Sequence, residues 1–166
     1  MKNHILLIMI SVCSLVNYTD VYSQTTNTDN LFYKNSIQLT SGTLIFNYSA
    51  VTFSYERILK EARDNSKSTL YLKFGIGKYE IFDWAYISSA NYTYFQFGFF
   101  TGINGSHFEL NVGPNIGFNA EETKVHIFSG SMGYRLQKPG KHFILRTGVG
   151  YPEALYFGLG WGFGKK

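Results

Sequence analysis

The sequence contains little that could crosslink, anchor or interrupt a fold. Its single cysteine, Cys13, cannot form an intrachain disulfide, which excludes a disulfide-stapled scaffold. The apolar run 5–16 is too short for a transmembrane helix, which needs about 20 residues. Charged residues make up only 16% of the chain, against about a quarter in typical domains. The lysines and arginines are scattered and form no basic helix, so nucleic-acid binding is not indicated.

Aromatic residues are the main surplus. They make up 18% of the chain, with 15 phenylalanines and 13 tyrosines. Mean hydropathy is nevertheless −0.10, so apolar side chains must be interleaved with polar ones rather than collected into long runs. With only 3 prolines, no linker and no long helical pattern, the 166 residues indicate one domain.

The N-terminal segment differs from the rest. Lys2 is followed by the apolar run and then by a polar stretch that reaches Ser23, a small residue suited to cleavage. This pattern predicts a secretory signal peptide over 1–23, followed by a flexible lead-in over 24–35. Cys13 is interpreted as part of the apolar run of the signal, with a lipoprotein acylation site as the alternative.

Alternation of apolar and polar residues at period two dominates the remaining chain and predicts β-strands. The clearest example is 107–118, "HFELNVGPNIGF", in which every second residue is apolar. The same pattern predicts strands at 36–46, 50–58, 69–78, 93–102, 107–118, 125–136, 142–151 and 155–163. Turns at 103–106 and 138–141 fit hairpins, and the aromatic-rich segment 80–91 is predicted to be the longest loop.

Three features predict which solvent each strand face meets. The apolar face recurs in every strand, and the opposite face carries glycine and small polar residues rather than many lysines and glutamates. The strands are close to the roughly 9–11 residues that a tilted transmembrane strand requires. Strands in lipid must close into a barrel, and a small lumen needs inward glycines. The sequence therefore predicts an all-β fold, a single eight-stranded antiparallel transmembrane up-and-down β-barrel over 36–164, with a C-terminal tail at 165–166.

Four segments carry a family resemblance: the signal end "YSQ", the strands "NYSAVTFSYERIL" and "LYLKFGIGKYE", and the final "LYFGLGWGF". In them the chain resembles the small eight-stranded outer-membrane β-barrel proteins of Gram-negative bacteria. The resemblance implies an outer-membrane location and a monomer in contact with outer-membrane lipid and lipopolysaccharide. It also implies biogenesis through periplasmic chaperones and the barrel-assembly machinery, which reads an aromatic C-terminal signal. Trp161 and Phe163 match that signal and are followed by 164–166.

Polar and charged residues on the predicted inward faces form the candidate site. They are Glu56, Lys73, Gln96, Glu109, Asn111, Arg135 and Arg146. Because buried charges must be paired, these residues are interpreted as a salt-bridged and hydrogen-bonded network that fills the lumen. The alternative is a polar path for a small solute or ion.

Two further features have structural interpretations. Pro114 predicts a strand irregularity, because a mid-strand proline removes a ladder hydrogen bond and often marks a bulge. The alternative for Pro114 is a weakened seam that admits an apolar ligand from the lipid. Aromatic residues near the strand ends are predicted to form interfacial girdles. They are Tyr48, Tyr79, Phe82, Trp84, Tyr86, Tyr92, Tyr134, Tyr151 and Trp161.

No catalytic residue, cofactor or metal site is predicted. His126 falls on the opposite strand face from Ser129 and Ser131, so no nucleophile–base–acid triad is evident, and the histidines lack metal-ligand spacing. The predicted function is non-enzymatic, with a structural or small-molecule passage role. The alternatives are a lipid A-modifying outer-membrane enzyme, an adhesion or binding barrel, and a soluble secreted β-sandwich.

Overall fold

The computed structural model describes residues 32–44, 47–62, 68–82, 87–102, 105–118 and 125–164. Its regular structure in these ranges is entirely β-strand, and no helix there is long and apolar enough to cross a membrane. Several predictions concern residues outside the described ranges. These are the signal peptide (1–23) with Cys13, most of the lead-in, Trp84 and Tyr86 of the girdle, and the C-terminal tail (165–166).

Eight strands follow one another along the chain. They are β1 (Asn35–Leu44), β2 (Tyr48–Lys60), β3 (Ser68–Phe82), β4 (Ile87–Thr101), β5 (Ser106–Phe118), β6 (Phe128–Leu136), β7 (Phe143–Tyr151) and β8 (Ala154–Phe163). Each strand pairs antiparallel with the next, and β8 pairs with β1 to close the barrel. The prediction of an all-β, eight-stranded antiparallel up-and-down barrel is thereby confirmed.

Side chains alternate between the inside and the outside of the barrel, as the pleat of a strand requires. In β5, His107 and Glu109 are buried, whereas Phe108 and Val112 are exposed. The outer face is apolar on every strand. Its exposed members include Leu39 in β1, Phe53 in β2, Phe74 in β3, Phe97 in β4, Val112 in β5, Met132 in β6, Val149 in β7 and Leu159 in β8. Six charged side chains of the described chain are instead buried inside, the reverse of a typical soluble domain.

The β3–β4 hairpin corrects the predicted loop over 80–91. β3 continues to Phe82 and β4 begins at Ile87, so most of this segment is strand. The prediction failed because the polarity pattern inverts in this hairpin, where Glu80 lies on the outer face and Tyr79 is buried inside. A search for strands with an apolar outer face therefore stops too early along β3.

Pro114 lies on the outer face of β5. Pairing between β4 and β5 skips Gly113 and Pro114 and resumes at Asn115 in the same register. The N–H of Asn115 donates to the carbonyl oxygen of Ile127 at 2.7 Å, on the β6 side. Since successive N–H groups of a strand point to opposite sides, the nitrogen of Pro114, which has no hydrogen, points toward β4. The ladder is interrupted at this proline while the register is unchanged.

The first and last strands meet along one seam of the barrel. We call the end where β1 begins and β8 ends the terminal end, and the opposite end the hairpin end. Phe163 pairs with Asn35 at the terminal end, and Trp161 pairs with Ile37. Both aromatic residues of the predicted assembly signal are exposed on the outer face of β8.

The residues before β1 pack across the terminal end. Phe32 is 1% exposed and meets the rings of Phe100 and His107 edge to face, each with a centroid distance of 5.3 Å. Tyr33 stacks on His142 at 4.1 Å. These two residues, which the sequence pattern predicts to belong to a flexible lead-in, therefore cover the lumen at this end.

Candidate functional site: the polar lumen

The barrel interior contains all seven polar residues selected from the sequence. They are Glu56 on β2, Lys73 on β3, Gln96 on β4, Glu109 and Asn111 on β5, Arg135 on β6 and Arg146 on β7. None is more than 3% exposed. Each occupies an inward position of its strand, so the pleat alone directs it into the lumen.

Glu109 is the centre of the network. Its Oε1 accepts a hydrogen bond from Nε of Arg146 at 2.7 Å and is also in ion-pair contact with Nη2 of that residue. Nη1 of Arg135 lies 3.9 Å from Oε2 of Glu109, and the Tyr156 hydroxyl donates to Oε1 at 3.1 Å. The carboxylate thus contacts two guanidinium groups and a phenol, which offsets the cost of burying its charge.

A pair of glycines makes room for Tyr156. Gly133 and Gly148 are partners across β6 and β7. A Cβ atom on Gly133 would lie 2.4 Å from the carbonyl oxygen of Thr147 and 2.5 Å from the Tyr156 hydroxyl. Only a glycine at this position leaves the space through which the phenol reaches Glu109.

Glu56 and Gln38 join the two arginines into one unit. Oε1 of Glu56 pairs with Nη1 of Arg135 at 2.7 Å, and its Oε2 accepts a hydrogen bond from Nε2 of Gln38 at 3.0 Å. Oε1 of Gln38 in turn accepts a hydrogen bond from Nη1 of Arg146. Gln38 was not selected from the sequence, although the alternation of β1 places it inward. We call Gln38, Glu56, Glu109, Arg135 and Arg146 the charge layer.

Aromatic rings support the charge layer on its terminal side. The guanidinium carbon of Arg135 lies 4.4 Å from the ring centroid of Phe100 and 5.6 Å from that of Tyr71. Its Nε donates to Oε1 of Gln137 at 2.8 Å. Phe32 packs on the far side of Phe100, so the terminal end is closed by an apolar layer beneath a paired cation.

Asn111 and Gln96 form hydrogen bonds to uncharged neighbours. Asn111 accepts a hydrogen bond from the Tyr71 hydroxyl at 2.5 Å and donates to Ser131 at 3.1 Å. Gln96 donates to the Ser129 hydroxyl at 2.9 Å.

Lys73 is the one buried cation of the described chain that has no ion pair there. Its Nζ lies 5.3 Å from the ring centroid of Tyr94. This cation–π contact stabilises the ammonium group only in part. Lys73 is therefore the cation of the described lumen whose charge is least compensated.

Glu153 is a lumen residue that the sequence reading missed. It lies in the connection between β7 and β8, yet it is only 3% exposed. Its Oε1 accepts hydrogen bonds from Oγ1 of Thr52 and from the Tyr94 hydroxyl, each at 3.1 Å. The turn enters the barrel over Gly42, where a Cβ would lie 1.8 Å from the carbonyl oxygen of Glu153. With Glu153, the charges buried in the described lumen balance at three acids and three bases.

A stack of tyrosines fills the hairpin end of the lumen. Neighbouring ring centroids are 5.5, 5.9 and 6.2 Å apart along Tyr48, Tyr79, Tyr92 and Tyr94, which we call the tyrosine stack. The girdle prediction is therefore wrong for Tyr79 and Tyr92, which are buried inside the barrel, and for Tyr48, which stacks on Tyr79. Tyrosines occupy the inward positions in this hairpin, so its polarity pattern is inverted. For the same reason the sequence pattern did not identify the end of β3.

Two of the three described histidines, His107 and His142, make structural hydrogen bonds through their rings. His107 is bonded through its ring nitrogens to the carbonyl oxygens of Thr101 and Gln137, at 2.7 and 3.1 Å. His142 is bonded to the Tyr33 hydroxyl at 2.9 Å and to the carbonyl oxygen of Gly162. Across the described ranges, no group of three or more histidine, cysteine or acidic side chains could hold a metal ion.

The fold and lumen define a class of protein: a closed eight-stranded antiparallel barrel with a polar, charge-balanced interior and an apolar exterior. Beyond this class, the chain matches no protein-family model, no curated protein and no solved structure. The features that bear on function are therefore the barrel's outer surface and its lumen.

Proposed function

We propose that this chain is a membrane-spanning barrel of the bacterial outer membrane, with a structural role and a closed lumen. One observation carries the proposal: large apolar side chains lie on the outside of every strand, while six charged side chains of the described chain are buried inside. Soluble monomers rarely expose contiguous apolar surface on this scale, since it drives association in water. A lipid bilayer stabilises such an exterior, and the closed barrel leaves no unpaired strand edge in the hydrocarbon.

The filling of the lumen favours the structural role over the passage of small molecules. Phe32 covers the terminal end, the charge layer crosses the middle, and Glu153 lies with the tyrosine stack at the hairpin end. An eight-stranded barrel has room only for side chains, and here bulky polar groups bonded to one another occupy that room. A solute would have to break these ion pairs in order to cross.

The other candidate functions receive less support from the described residues. Ser129 and Ser131 accept hydrogen bonds inside the lumen, whereas His126 is exposed, so no lipid A-modifying site forms from them. An adhesin would present long loops, but the connections at the hairpin end are short apart from 119–127. Outer-membrane lipid and lipopolysaccharide are the contacts that the proposal implies, with the terminal end facing the periplasm.

The membrane proposal predicts that the folded chain requires detergent or lipid. The full chain, refolded in detergent micelles, is expected to migrate faster on a gel when unheated than when boiled. It is also expected to resist extraction from vesicles by alkaline carbonate. A chain that folds and remains monomeric in buffer without either amphiphile would contradict the proposal and favour a soluble barrel.

The closed lumen predicts that the inserted barrel does not conduct. In a planar bilayer, the protein is expected to leave the current at the level of the bare membrane, because aromatic rings close both ends of the lumen and the charge layer fills its middle. A general porin added to the same bilayer provides the positive control. Stepwise currents from protein whose folding has been checked by gel mobility would contradict the structural role and indicate a role in passage.

A further inference from the structure

A cluster of basic residues lies at the terminal end, where the apolar outer surface stops. Lys34 precedes β1, and Arg57 and Lys60 lie near the end of β2, and all three are exposed. The N–H of Ile58 donates to the carbonyl oxygen of Lys34 at 2.8 Å, which extends the β1–β2 pairing. The three cations are therefore held on adjacent segments of ordered backbone.

A bulge in β2 decides the direction of Lys60. The register of β2 against β3 shifts between Ile58 and Lys60, so that Lys60 is the partner of Leu70. Leu70 is exposed on the outer face, and partners across a sheet share a face. Lys60 thus joins Arg57 on the outside, whereas strict alternation from Arg57 would turn it toward the lumen.

The cluster directly adjoins the apolar surface. Arg57 is the partner of Asn35 in β1 and of Leu72 in β3. Asn35 accepts a hydrogen bond from the hydroxyl of the outward Tyr55 at 2.6 Å, and Tyr55 lies 6.5 Å from Phe163 between ring centroids. A cation beside outward aromatic rings at a strand end occupies the depth at which lipid headgroups meet the hydrocarbon.

The three cations lack acidic partners in the described chain. None of the ion pairs there involves Lys34, Arg57 or Lys60. The exposed Lys78 near the hairpin end, by contrast, is paired with Glu80 at 2.8 Å. The positive charge at the terminal end is therefore available to an external anion.

We propose that Arg57 and Lys60 bind the phosphate of an anionic lipid headgroup at the edge of the bilayer. This inference rests on the proposed membrane insertion and adds a lipid preference to it. Arg57 offers a planar guanidinium group that can donate two hydrogen bonds to phosphate oxygens, and Lys60 offers a second positive charge on the same face. An anionic headgroup is favoured over a zwitterionic one, because no ion pair of the described chain neutralises these cations.

The test is native mass spectrometry of the full chain released from detergent with mixed lipids. The folded protein is expected to retain phosphatidylglycerol in preference to phosphatidylcholine. Each basic group near an anionic surface contributes about 1 kcal/mol, so the double variant R57Q/K60Q is expected to lose about 10–30-fold of this preference. The matched control is Lys78→Gln, which removes one charge from the outer face near the opposite end and should leave the preference unchanged.

Gel mobility separates the two proposals in the same samples. If the wild-type chain fails to show the mobility of a folded barrel, the membrane proposal itself is wrong. If it folds and R57Q/K60Q keeps the full preference for phosphatidylglycerol, the lipid site is wrong while the membrane proposal stands. An equal loss in the Lys78→Gln variant would also overturn the site, since it would indicate a general charge effect.

Discussion

Replacing Glu109 with glutamine is expected to lower the free energy of unfolding of the barrel by about 3–5 kcal/mol. The substitution preserves the shape of the side chain but removes the only charge in the described part of the chain that contacts both Arg135 and Arg146. Glu56 remains paired with Arg135 at 2.7 Å, so Arg146 loses its acidic partner while it stays 1% exposed. The penalty is large because an unpaired guanidinium group is buried far from water.

The measurement is a urea titration of the protein in phospholipid vesicles, followed by gel mobility of the folded form. Glu80→Gln is the matched control, since it makes the same chemical change in an exposed ion pair. Exposed pairs contribute about 0–1 kcal/mol, so this variant should unfold close to the wild type. Equal effects from the two substitutions would mean that the charge layer does not stabilise the barrel.

Most of the barrel could be predicted because one physical rule governs most of its strands. Where the apolar face meets the outside, as in β5 with Phe108 outward and Glu109 inward, alternation alone identifies the strand and the direction of each side chain. The inward charges follow from the same rule, and so does Gln38, which was overlooked although it obeys it.

The predictions from the sequence were wrong where that rule does not apply. Beyond Ile76, β3 places Lys78 and Glu80 outside and Tyr79 inside, so a continuous strand reads as a loop. Glu153 belongs to no alternating pattern, and its burial depends on the missing side chain of Gly42 in a strand distant in sequence. Such long-range contacts leave no periodic signal, and for that reason the third acid of the lumen became evident only in three dimensions.

Replacing Leu159 with arginine is expected to lower the free energy of unfolding of the barrel when its outer surface faces lipid. Leu159 lies in the middle of β8, between Leu39 of β1 and Leu145 of β7, and is 46% exposed. In a bilayer, an arginine at the midplane of a barrel's lipid face costs about 2–4 kcal/mol. On the surface of a soluble barrel, the same change at an exposed position would stay within about 0.5 kcal/mol.

Urea titrations in vesicles, followed by tryptophan fluorescence, measure this difference. The control is Ser89→Arg, which adds the same charge to the outer face of β4 opposite Glu80, close to the hairpin end of the barrel. Near the interface an added arginine lowers the free energy of unfolding by only about 0–1 kcal/mol. Leu159→Arg is therefore expected to destabilise the barrel several-fold more than Ser89→Arg does. Equal, small effects of both substitutions would mean that the apolar exterior does not face hydrocarbon. The depth dependence thus tests the bilayer as the solvent of this surface independently of any assay of activity.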